Sequence, residues 1–427
     1  MASPYPDGDR EKVASKLPSA LQQQLKVRAA ELALDIQEAV EAAITDWRAV
    51  ERPGFEVETA GAKSFSTWLP PGLYEDFKTT CTDRGVSYTQ GLAQSIRDWL
   101  DAHPSPQDGV PTTEPERKIV CNQKGGVGKT TISAGIAEVE AETPGVGAKC
   151  LRDFIDDITS TELERLARTR DQLLDLVSGY SAGGRRVLLV DYDPQLHLSK
   201  QLGIDPIPVG EESLVSHMTG EAHGDIRDLI VTIDEPRFSG RLHVLPGTRA
   251  GFLLDSKLAL TAAQSRGFQK ETALERALHP LEADYDVIVI DSPPSLGLSM
   301  DAGLYYARRR PNEKPGRSGV LIPVQSEDSS ADAYDMLDSQ IQDLEDDLHL
   351  HIDRLGIVVN LFDSRRGYIA TSSLEEWHAL DDETVIGVLD DLKEQRETVR
   401  LKRPLLAYVP ESKQANLMRL IVAGAGK

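Results

Sequence analysis

Residues Lys124 to Thr131 read Lys-Gly-Gly-Val-Gly-Lys-Thr-Thr and follow the apolar stretch Ile119-Val120-Cys121. Glycines at Gly125, Gly126 and Gly128 let backbone N–H groups turn inward around phosphate oxygens that side chains would otherwise obstruct. A helix opening near Thr130 adds the positive end of its dipole. Lys129 then neutralises β- and γ-phosphates, and the Thr130 hydroxyl is a ligand for Mg²⁺. The general phosphate-loop pattern wants a glycine where Gln123 stands, so this is a deviant version with a second lysine, Lys124, at its front end.

Two further segments carry acids at matching places. Arg186-Val187-Leu188-Leu189-Val190-Asp191-Tyr192-Asp193-Pro194-Gln195 is a short apolar run ending in carboxylates, and Tyr285 to Pro294 repeats the design with Asp291 at its tip. Runs of this kind are buried parallel strands, and open α/β sheets bind ligands at their carboxyl ends. Hydrolysis of a γ-phosphate needs charge neutralisation and an in-line water, and little else from the protein. Two lysines and a magnesium ion supply the first, and Asp193 is placed for the second.

Together these residues resemble the ParA/MinD family of deviant-Walker ATPases, and the wording is nearest the ParA partition branch. His243 to Thr248, Val320 to Gln325 and Gly356 to Asn360 resemble that family's later strands. The resemblance covers about residues 117–427 and implies an α/β domain, a mostly parallel sheet with helices on both faces. It implies ATP and Mg²⁺ as cofactors, with Gly125 to Thr131 around the phosphates and Asn360 against adenine. Lys124 would reach the phosphates of a partner subunit in an ATP-sandwich homodimer, and Asp193 would orient the attacking water. Asp291 would hold Mg²⁺ through water, with Asp191 supporting the metal shell beside Thr130. The implied partners are DNA, bound non-specifically, and a centromere-binding ParB-like protein, in a cytoplasmic, nucleoid-associated setting. A ParA-like positioner of another cargo and a nucleotide-regulated repressor are the alternatives.

Composition sets bounds on this. The formal charge of −22 argues against bulk attraction to nucleic acid or an anionic membrane, so any DNA contact must come from a local basic patch. Cys81, Cys121 and Cys150 are scattered and odd in number, which fits neither a disulfide framework nor a zinc site. No stretch approaches a membrane span, and the start has no apolar leader, so no membrane partner is expected.

The elements that must position these residues fall into three regions. Residues 105–116 are proline-rich and read as a linker between residues 1–104 and the ATPase. Within the first region, a shift of 52 positions superposes Leu17-Pro18 on Leu69-Pro70, Leu21 on Leu73, Lys26 on Lys78, Ile44 on Ile96 and Asp46-Trp47 on Asp98-Trp99. Each copy reads strand, helix, turn, helix, which resembles the ribbon-helix-helix fold, and two copies in one chain can close on each other. Asp35 and Ser87 would cap the second helices, and Ala33 stands in the first copy where the second has Gly85. If the ribbon reads DNA, its outward residues are Lys12, Ala14, Lys16, Ser64, Ser66 and Trp68. A dimerisation or docking role is the other reading.

Three further stretches stand out in the ATPase region. Residues 143–180 form a helical insertion, packed on the sheet's edge or serving as a docking surface. Arg308 to Arg317 is a basic loop and a candidate DNA contact. The cluster Lys393, Arg396, Arg400, Lys402 and Arg403, joined by Arg365-Arg366, matches the place where ParA proteins touch DNA. The apolar tail around Leu417 to Val422 reads as a last core helix.

Overall fold

The structure is a computed structural model that describes residues 10–31, 34–49, 57, 59, 62–102, 114–143, 145–178, 183–380 and 384–426. Most of the proline-rich segment 105–116 lies outside the described residues, as does Ala33. The chain divides into two compact units: Met1–Pro111 with Thr261–Gln269, and Thr112–Leu260 with Lys270–Lys427.

The first unit repeats one motif. Strand β1 (Glu11–Leu17) is followed by α1 (Ser19–Glu31) and α2 (Ile36–Ala49). Strand β2 (Lys63–Leu69) is followed by α3 (Leu73–Asp83) and α4 (Tyr88–Ala102). Both strands, and the starts of α2 and α4, are displaced by the same 52 residues. β1 and β2 pair antiparallel with Ala14 opposite Ser66, its own equivalent in the repeat. A local twofold therefore runs through the middle of the ribbon. With a strand's period of two, Val13, Leu17, Phe65 and Leu69 face inward to a core shared with Leu25, Ile44, Trp47, Phe77, Ile96 and Trp99. The opposite face exposes Lys12, Ala14, Lys16, Ser64, Ser66 and Trp68. Asp35 and Ser87 start the second helices, accepting from the backbone N–H of Gln37 (2.9 Å) and Gln90 (3.1 Å).

The second unit is built on an eight-stranded sheet. Its strands in chain order are β3 (Glu116–Val120), β4 (Val187–Asp191), β5 (Val231–Thr232), β6 (Leu242–Leu245), β7 (Val287–Asp291), β8 (Gly319–Val324), β9 (Arg354–Phe362) and β10 (Val385–Asp390). Their spatial order is β10-β9-β8-β3-β7-β4-β6-β5, parallel throughout except for the short edge strand β5. β4, β7 and β8 are buried at every position, which is why they read as unbroken apolar runs. β3 lies in the interior, so the loop after it opens between carboxyl ends contributed by β7 and β8.

Helix α5 (Lys129–Ala141) follows that loop and packs on β3, β4 and β7. The tail helix Lys413–Gly424 is buried against α5 and β10; a Cβ at Gly135 would crowd Met418, and one at Gly387 would crowd Ile421. The insertion forms α6 (Val146–Asp157), α7 (Ser160–Arg165) and α8 (Arg170–Ser178). It packs on the tail helix through α6 and α8, with Leu151, Ile155 and Leu173 buried, and reaches the sheet's edge through Arg165 of α7, which pairs with Asp390 of β10 at 3.1 Å. Among the described residues no helix is long and apolar enough to cross a membrane.

The basic loop Arg308 to Arg317 is not the free cationic surface its composition suggests. Arg308 and Arg310 are spent on the buried carboxylates of Glu275 and Glu282, and Arg309 pairs with Asp353. Arg310 is only 4% exposed. The acids come from segments far away in sequence, so the cancellation is invisible until the chain folds.

Candidate functional site

The glycine loop is shaped from below. Asn122 is buried; its amide donates to the Pro323 carbonyl (2.7 Å) and its oxygen accepts from the Lys124 N–H (2.9 Å). Gly126 and Gly128 hold left-handed backbone angles, φ 79° and 92°, that other residues adopt at a cost. A Cβ at Gly128 would also collide with the Asn360 amide. Asn360 is buried near the end of β9 and donates to the Val127 carbonyl (2.8 Å), supporting the loop from beneath. Val127 is fully buried, while Gly125 and Gly126 are exposed.

Lys129 opens α5, and Thr130 and Thr131 stand half-buried in its first turn. The Lys129 ammonium donates to the Lys124 carbonyl (3.0 Å). Burial lowers its proton affinity, against the pull of Asp291 and Asp193. An ammonium desolvated in this way favours an anionic partner such as phosphate.

The acids gather opposite it. Asp191 and Asp291 end adjacent strands and are direct register partners. Burial, then repulsion from Asp191, pushes the Asp291 carboxyl up to about 8, although Thr130 and Ser133 bond to it. Burial likewise raises Asp191 to about 6, against two bonds from Ser199: N–H at 2.9 Å and Oγ at 2.5 Å. Asp191 Oδ1 and Asp291 Oδ2 are buried with no hydrogen-bond partner. Two crowded carboxylates, each with an idle oxygen, fit a divalent cation that would relieve both costs. Among the described residues no three His, Cys, Asp or Glu side chains form a metal cluster. For magnesium, waters, a hydroxyl and phosphates would complete the shell. Asp193 is 7% exposed and accepts from the Gln195 N–H (2.9 Å). Ser133 and Ser199 were not singled out from sequence; lone serines four and eight residues from a motif carry no signal until the fold turns them inward.

Lys124 stands on the other side of the loop. Its ammonium is 3.1 Å from Glu327 Oε2 and 3.3 Å from Ser330 Oγ, just beyond β8. Gln325, nearby, donates to the Gly126 carbonyl (3.3 Å). Past these residues a cavity of about 90 Å³ is lined by Gln325, Glu327, Leu361, Asp363, Arg366 and Asp391, at the carboxyl ends of β8, β9 and β10.

The C-terminal basic cluster sits on the helix Lys393–Leu401 and just after it. Lys393, Arg396, Arg400, Lys402 and Arg403 are all exposed. Arg396 pairs with Asp391, and Arg403 with Glu235 at 2.8 Å. Arg365 pairs with Asp363, and Arg366 with Glu327.

A glycine-loop ATPase fold with acids at adjacent strand tips is the class this geometry defines, and comparison with known proteins agrees. A family model described as an AAA domain matches residues 172–353, beginning beyond the glycine loop. The chain is 28% identical over 263 residues to the chromosome partitioning protein ParA of Myxococcus xanthus, covering 61% of this chain and 70% of that protein. It is 28% identical over 249 residues to an uncharacterized protein of Mycobacterium tuberculosis, and that match spans only 58% of either length. The solved structure of a Cyanothece McdA variant in complex with ATP shares the fold, with a TM-score of 0.50 at 15% identity over 72% of this chain and 94% of that one. In sequence and fold the chain is similar to ParA/MinD-type Walker ATPases.

Proposed function

We propose that this chain is a partition ATPase that binds ATP with Mg²⁺, closes into a homodimer, holds DNA non-specifically, and releases it when hydrolysis is triggered by a centromere-bound ParB-like partner. The observation that carries the reading is the facing of Lys129 and a left-handed glycine cradle against three acids at the tips of β4 and β7. Gly125 to Thr131 would wrap the phosphates, with Lys129 and the first turn of α5 supplying positive charge. The nucleoside would lie in the cavity beside Leu361 and Asp363, just past Asn360. Magnesium would be held by Thr130, with Asp191 and Asp291 behind its waters, and would neutralise charge developing on the phosphates. Asp193 would orient the water, and Lys124 would act on the nucleotide of the second chain.

For the ends of the chain, the reading is that Arg396, Arg400, Lys402 and Arg403 touch DNA phosphates when the dimer brings two clusters side by side. The first unit is read as an intramolecular ribbon-helix-helix pair. Its ribbon, through Lys12, Lys16, Ser64 and Ser66, would contact DNA independently of nucleotide. The test is phosphate release and duplex binding by the whole chain, with and without ATP and Mg²⁺. Release that needs no Mg²⁺, or DNA binding by the basic cluster that ignores nucleotide, would sink the reading.

A further inference from the structure

One ion-pair cluster at the carboxyl edge of the sheet ties the front lysine of the glycine loop to neighbouring elements. Glu327 immediately precedes the helix Asp328–Leu348 and shares its carboxylate between two cations from different elements. Oε2 is 3.1 Å from the ammonium of Lys124, and Oε1 is 2.6 Å from Nη1 of Arg366. Ser330, one turn into the same helix, adds its hydroxyl to Lys124 at 3.3 Å. Glu327 and Arg366 both line the cavity beside the glycine loop, so the clasp joins the rim of that cavity to the front lysine. The Glu327 side chain is 37% exposed. A half-exposed pair of this kind yields to a stronger anion, yet it fixes the direction of a long flexible side chain.

We propose that Glu327 is a positioning residue for Lys124, holding its ammonium against its own chain in competition with the phosphates of a second chain, so that this carboxylate sets the ATP concentration at which two chains close. The proposal rests on the reading of Lys124 as the lysine that acts across the dimer. The physical basis is exchange. A triphosphate with its charges near Lys124 outcompetes one carboxylate, but every closure must first give up the Glu327 contact. Removing the negative charge removes that cost without touching Lys129, the glycines or the strand-tip acids. Glu327 makes no side-chain capping bond to the helix it precedes, so its replacement leaves the helix start intact.

The experiment follows dimer formation of the full-length chain by light scattering. It titrates a slowly hydrolysed ATP analogue at saturating Mg²⁺ and compares wild type, Glu327→Gln, Glu327→Asp and Lys124→Ala. Glu327→Gln is expected to lower the midpoint about two- to fivefold, a shift in the range of a weak exposed ion pair. Glu327→Asp should return toward wild type. The difference between Glu327→Gln and wild type should shrink between about 50 mM and about 500 mM salt as the pair is screened. A midpoint that is unchanged or raised in Glu327→Gln, beside a Lys124→Ala chain that fails to dimerise, overturns the role of Glu327 alone. A Lys124→Ala chain that dimerises like wild type overturns the reading of Lys124 itself, and the proposal with it.

Discussion

At the scale of single residues, the site divides its work between groups that touch phosphate and groups that aim them. Lys129 is proposed to be of the first kind: its ammonium is desolvated beside the glycine cradle. Lys129→Ala should therefore reduce ATP affinity by at least about a hundredfold, as loss of a buried charge partner does; equilibrium binding of a fluorescent ATP analogue measures it. Asp193→Ala removes only the acid proposed to orient the water. Binding and dimerisation should persist while phosphate release falls by about two orders of magnitude or more, the usual weight of a positioned base. Unchanged release would move the role to Asp191. Ser199 is of the aiming kind, holding Asp191 through both its N–H and its hydroxyl. Ser199→Ala should raise the Mg²⁺ concentration for half-maximal turnover several-fold and leave ATP binding near wild type, which a Mg²⁺ titration reads directly.

At the scale of elements, α5 links the phosphate loop to the C-terminal region through a buried acid. Glu138 is almost wholly enclosed and accepts the Leu406 N–H at 2.8 Å, just past the basic cluster. Burial, opposed by bonds from Leu406 and Leu405 and aided by Glu142 and Glu235, raises its carboxyl to about 8. The sign follows from linkage. The folded chain holds this proton more tightly than the unfolded one, so the stabilisation is complete below the unfolded pKa of about 4. It is lost as pH rises through about 8. Thermal unfolding should show stability falling across that window. Glu138→Gln, which keeps an acceptor and carries no charge, should flatten the fall and melt higher than wild type above pH 8. A slope identical to wild type would show that Glu138 is not the group responsible.

At the scale of the whole molecule, two units place candidate DNA contacts on separate parts of one chain. Residues 1–104 hold a complete core shared by both copies of the repeat, and should fold when expressed alone. If the ribbon reads bases, this fragment should bind a short specific duplex with no need for ATP. A chain beginning near Glu116 should bind any duplex, and only with ATP. Reversing Arg396, Arg400 and Arg403 to Glu should abolish that second activity while ATP-driven dimerisation survives. Gel-shift titrations at one fixed ionic strength are the measure, because phosphate contacts weaken steeply with salt. Retained binding by the charge-reversed chain would leave the cluster a solvated surface.

What the sequence determined by itself was local and periodic. The glycine loop, the strand runs ending at Asp191 and Asp291, and the 52-residue repeat are patterns of neighbouring residue types, and each became the element its pattern named. The inward and outward faces of the ribbon followed from alternation alone, and Asp35 and Ser87 from the chemistry of helix starts. What only the tertiary structure decided was pairing across long separations. Arg308 and Arg310 looked like free cations until Glu275 and Glu282 met them, and only the fold brings the Asn360 amide to the Val127 carbonyl. Ser199 and Glu327 carry no motif and acquire a role through the side chains they reach, Asp191 and Lys124. The physical reason is common to all four: a charge or a polar atom has no fixed meaning in one dimension, because its energy depends on burial and on the partner that the fold brings within about 3 Å.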